Sequence, residues 1–163
     1  MGRKMDAIKG RAGEGNRALE GANETGGKAL EDARSMSEIV NSLPTDVDDE
    51  ILQAAETVKE GTRADAEGYM DSVVNTQLEE GKSVLSEASD MSRDQIANNQ
   101  EVISAFNAMD GIGDFGSGSR RSGVDSVNQS IESFNQLISE NDSNASDAEN
   151  EFNNQRNTIS GLF

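Results

Sequence analysis

The chain contains no cysteine, histidine or tryptophan, has a single proline, and is only 4% aromatic. Without cysteine no disulfide can form, which leaves the redox compartment open. Without histidine or cysteine, Ser-His-Asp triads, cysteine nucleophiles and the common zinc sites are excluded by composition, so no catalytic, cofactor or metal residue is expected. Hydrophobic residues make up 33% of 163, too few to fill a thick globular core. No apolar run approaches the roughly 18 residues a membrane span needs, and the basic start is not followed by the apolar stretch of a secretory signal. Cations are scarce as well: 14 Lys and Arg stand against 31 Asp and Glu, a net charge of -17 that repels nucleic-acid phosphates and anionic membranes.

What the chain does have is helical periodicity. In its last forty residues Val124, Ile131, Ile138, Ala145, Phe152 and Ile159 recur at intervals of seven, and Val127, Phe134, Asn141, Ala148, Gln155 and Leu162 form a second series three places on. Apolar side chains at these two heptad positions share one stripe, so residues 124–161 are expected to form a helix laid against another helix. The polar Asn141 and Gln155 in the stripe lower stability but fix register. Phe152, Ile159, Leu162 and Phe163 put the most hydrophobic part at the chain end, where an antiparallel partner offers Tyr69, Met70, Val73 and Val74.

Residues 7–39 show three units eleven residues apart, AIKGRAGEGNR, ALEGANETGGK and ALEDARSMSEI. Eleven residues make three turns, so the repeat predicts one face of a nearly straight helix. Glycines thin that stripe, and each costs up to about 1 kcal/mol relative to Ala. The first seventeen residues are basic, with Arg3, Lys4, Lys9, Arg11 and Arg17, and the expectation is a frayed terminus over 1–16, then helix over 17–42. Pro44 ends it. Thr45 is expected to cap a long helix over 45–109, whose first turn carries Asp46, Asp48, Asp49 and Glu50. A calcium loop fits this acidic cluster poorly, since Ile51 and Thr57 occupy the places of its Gly and its bidentate Glu.

GIGDFGSGSRRSG, residues 111–123, is rich in glycine and serine and is expected as an irregular hinge that makes the last two helices antiparallel. Ile112, Phe115, Arg120 and Arg121 lie in it as a candidate docking tip. Two motif-like strings carry no chemistry. ANETGGKA has Ala29 where a phosphate loop needs Ser or Thr, and DFG at residues 114–116 stands without any other kinase motif.

The eleven-residue units resemble those of late-embryogenesis-abundant proteins. DMSRDQIANNQEVISAFNAM, residues 90–109, resembles the C-terminal helix of flagellins, with Met91, Ser92, Arg93, Gln95 and Ile96 matching its opening string. Long helices around a glycine-containing turn are similar to the ESAT-6 or WXG100 proteins and their LXG relatives, although no Trp-x-Gly occurs and Tyr69 is followed four places later by Val73 rather than an acid. The flagellin and ESAT-6 resemblances imply an exported, all-helical protein, whereas the first implies a chain that becomes helical on drying or binding.

The sequence therefore predicts a single all-α domain over 1–163, an elongated hairpin or three-helix coiled-coil bundle. It predicts a non-enzymatic structural or interaction protein of an exported or surface assembly, which self-associates or packs on a helical partner and has no transmembrane segment and no nucleic-acid ligand. An intracellular scaffold, adaptor or stress-protective protein is the competing class, with a cytoplasmic location.

Overall fold

The computed structural model describes residues 2–163, and among them no strand occurs. The protein is an all-α helical bundle. Helix α1 spans Gly2–Asn41, α2 spans Asp49–Tyr69, and α2 passes through a π-helical turn at Met70–Val74 directly into α3, Asn75–Met109. Helix α4 spans Ser117–Leu162. Pro44 lies between α1 and α2, outside every helix, as its missing N–H requires. No described helix is long and apolar enough to cross a membrane.

The basic terminus expected to fray is helix from Gly2 onward. No acidic residue sits in its first turn to offset Arg3 and Lys4, yet Met5, Ala12 and Ile8 are buried, Ile8 at 2% exposure. Packing outweighs the poor end electrostatics. The buried positions of α1 also follow seven residues rather than eleven: Met5, Ala12, Leu19, Gly26 and Ala33 form one series, and Ile8, Gly15 and Ala22 form the other. Small residues fill most of both series, so a count of bulky side chains misses the stripe. Thr45 is not the cap of α2; Asp48 occupies that place without a side-chain cap bond, and Asp49 and Glu50 supply the first-turn carboxylates.

The π turn is explained by spacing. Ala66, Met70, Val74 and Leu78 are four apart three times running, after which Gly81, Leu85, Ala88 and Ser92 alternate three and four. Three successive fours would swing a regular α-helix away from its partners, and a wider turn with one extra residue takes up the excess.

The chain divides into two compact units, Met1–Gly15 with Ser83–Asn144 and Asn16–Lys82 with Ala145–Phe163. In the first, Arg11 pairs with Glu87 at 2.7 Å, and the buried Asn141 amide donates to Ser89 Oγ at 3.1 Å. In the second, Gln155 Nε2 donates to the Asn23 carbonyl at 2.9 Å, Asn23 Nδ2 donates to the Ala148 carbonyl at 3.1 Å, and Ser37 Oγ donates to the Leu162 carbonyl at 2.7 Å. A Cβ on Gly26 would lie 2.1 Å from Gln155 Oε1 and 3.4 Å from Met70 Cε. Glycine is thus what lets α1 approach α4 at that level.

Candidate interaction surfaces

In α4 the buried residues are Arg120, Phe134, Leu137, Asn141, Ala148, Phe152, Gln155 and Ile159. Of the expected stripe, Phe134, Asn141, Ala148, Phe152, Gln155 and Ile159 are buried, while Val124, Val127, Ile131, Ile138, Ala145, Leu162 and Phe163 are half-buried. Leu137 takes the core place expected for Ile138. Around residues 124–131 the described residues hold two helices side by side, α3 and α4. Only nine residues of α1 precede the Arg11 to Glu87 pair, about 14 Å, whereas α3 continues from Glu87 to Met109, about 33 Å. Two helices alone bury half of each side chain.

That two-helix stretch ends in a turn shorter than expected. Gly116 adopts a φ of +68°, and α4 starts at Ser117, so the irregular segment is residues 110–116 and Gly118 and Gly123 are helical. Arg120, expected as half of an exposed basic pair, is 9% exposed. Its Nε donates to Asp110 Oδ1 at 2.6 Å, and its guanidinium also donates to the Phe115 and Gly113 carbonyls. One side chain thereby ties the turn together. Ile112 and Phe115 are left 88% and 92% exposed, and Arg121 is exposed beside them.

The second surface lies within the unit formed by Asn16–Lys82 and Ala145–Phe163. Helix α2 has no buried residue. Arg156 of α4 pairs with Asp71 at 2.5 and 2.8 Å and approaches Glu67 at 3.9 Å, and the hydrogen bonds from Arg156 hold the Asp71 carboxyl below its usual range. Beyond Arg156 only six residues of α4 remain, about 9 Å, while α2 runs from Glu67 back to Asp49, about 27 Å. Along that length Ile51, Leu52 and Val58 are exposed, as are Met36 and Ile39 of α1 and Leu43 and Val47 of the connection. Of the residues expected to meet the chain end, Met70 and Val74 are buried whereas Tyr69 and Val73 are exposed.

Between α1 and α2 a groove of about 1240 Å³ is open to solvent. Its floor is small, with Gly27, Ala29, Ala33 and Ala66, and Met36 and Tyr69 stand at its rim. Lys28 is the one cation along it, against Glu24, Glu31, Asp32 and Asp65. The volume exceeds the roughly 300–1,000 Å³ of small-molecule sites, and the shape is a trough rather than an enclosed cavity. Among the described residues, no three His, Cys, Asp or Glu side chains gather to hold a metal ion. Sequence periodicity had no signal for this groove, because its floor residues read as ordinary helix formers.

Compared with known proteins, the chain matches no family model, no curated protein and no solved structure.

Proposed function

We propose that the chain is a non-enzymatic structural or interaction protein that works by coiled-coil packing against other helices, as a component or substrate of an exported or cell-surface assembly. The observation that carries this reading is α2, a helix of 21 residues with none buried that nonetheless presents Ile51, Leu52 and Val58 to solvent. Most helical stability in proteins comes from packing of an apolar face, so a helix of this kind is completed by a partner. The exposed Ile112 and Phe115 at the turn supply a second contact of the same character. The export part of the reading is supported by composition, since a chain without Cys, His or Trp and with few aromatics carries little that resists passage in an extended form.

A photo-crosslinking residue placed at Val58 or Phe115 of the full chain, expressed in its native cells, tests both parts. Specific protein adducts are expected from these positions in the surface or culture fraction, and none above background from a control at the exposed Glu79. Adducts confined to the cytosol would move the protein to the intracellular scaffold class, and no adduct at either position would remove the helix-packing function.

A further inference from the structure

We infer that the groove between α1 and α2 binds about 12 residues of a single basic amphipathic helix of another protein, with a narrow apolar stripe flanked by Lys or Arg. This rests on the helix-packing reading and names the partner's chemistry. Gly27, Ala29, Ala33 and Ala66 line it with no side chain longer than a methyl, beside Thr25 and Thr62, so a further helix backbone can approach closely between the exposed Met36 and Tyr69. The lining residues run from Glu24 to Met36 on α1, about 18 Å, and from Thr62 to Tyr69 on α2, room for about three turns of helix.

Charge selects the occupant. Four carboxylates, Glu24, Glu31, Asp32 and Asp65, edge the groove against Lys28 alone. The unit that contains the groove carries seven Lys and Arg against nineteen Asp and Glu. An acidic or neutral helix is repelled by this field, and a basic one is drawn in and oriented. A second copy of the same groove brings the same four carboxylates face to face. The basic segment of this chain, Arg3 to Arg17, is no substitute, because its apolar residues Met5, Ile8 and Ala12 are already buried. The occupant is therefore a different chain.

The probes are three fluorescent 21-residue peptides: a helix with Leu and Ala at the two apolar heptad positions and Lys at the flanking positions, its twin with Glu in place of Lys, and a scrambled version of the Lys peptide. Anisotropy is measured with the full chain and with the variant Glu31→Lys, Asp32→Lys, Asp65→Lys, changed at three exposed positions and checked for an intact fold by circular dichroism. The Lys helix is expected to bind at least tenfold more tightly than the scrambled peptide and far more tightly than the Glu twin, and to weaken about tenfold as salt rises from low to several hundred millimolar. The variant should reverse the preference to the Glu twin. Equal binding of the scrambled peptide would mean unspecific charge attraction and overturn the inference, as would a variant that binds the Lys helix unchanged or a chain that binds none of the three. A concentration-dependent dimer that excludes the Lys helix would assign the groove to a second copy instead. Any of these failures leaves the Val58 and Phe115 crosslinks as the separate measure of helix packing itself.

Discussion

Asn141 and Ser89 show how polar groups are handled in a thin core. Both are buried, and the Asn141 amide donates to Ser89 Oγ at 3.1 Å. Removing one member leaves the other to find a partner, while removing both exchanges a modest bond for apolar contact. Asn141→Leu alone is thus expected to change the melting temperature little. Asn141→Leu with Ser89→Ala should raise it by a few degrees, on the scale of 2–4 °C per kcal/mol for a chain of this size, with a coupling of about 1 kcal/mol in the double-mutant cycle. Thermal melts of the four proteins measure it. If the double variant melts below the parent, the pair stabilises the fold more than apolar packing would. Gly26 and Gly123 make the complementary point about space. A Cβ at Gly123 would meet the Phe106 ring at 2.9 Å, so this glycine is there for clearance within a helix and not for a turn.

At the scale of elements, the π turn is where local and tertiary demands meet. The spacing of the inward-facing residues Ala66, Met70, Val74, Leu78 and Gly81, of which all but the half-buried Ala66 are buried, contains one residue more than alternating threes and fours allow. Deleting the exposed Ser72 converts that spacing to four, three, four, three, so the helix is expected to close into a regular α-helix with both flanks still facing their partners. The melting temperature should move by only a few degrees. Deleting the equally exposed Ser86 from regular helix rotates everything after it by about 100° relative to what precedes it, and should lower the melting temperature by more than 10 °C or abolish a cooperative transition. Circular dichroism melts of the two deletions decide the matter, and equal damage would show that the extra residue is required. The turn before α4 illustrates the same interplay, since Arg120 reaching back to Asp110, Gly113 and Phe115 lets the helix start at Ser117 despite Gly118 and Gly123.

For the whole molecule, the shortage of apolar residues makes each buried side chain matter. Met5 and Ile8 lie in the first ten residues, and burying a side chain of this size is worth about 1.5–3 kcal/mol each. Against a typical total of about 5–15 kcal/mol, a deletion of residues 2–10 is expected to lower the melting temperature by roughly 10 °C. This reverses what a frayed terminus would predict, and an unchanged melt of the truncated chain would show that α1 docks without its first turns. Loss of Ile159 to Phe163 removes a side chain with 0% exposure and the carbonyl that Ser37 bonds, so both chain ends are structural parts.

Sequence alone determined the helical class, the break at Pro44, and much of the α4 stripe, because these follow from local rules: proline lacks a donor, and bulky side chains at heptad spacing must be hidden. It also placed Asn141 in a buried register. Tertiary structure decided the rest. The α1 seam was legible only once Gly15, Gly26 and Ala33 were seen to be buried, since small residues announce no face until another helix lies on them. Whether Val124, Val127 and Ile131 are core or half-exposed depended on how far α1 reaches, a length no residue in α4 encodes. The acidic edge of the groove is assembled from residues 24–32 and Asp65, which are brought together only when α1 and α2 fold side by side.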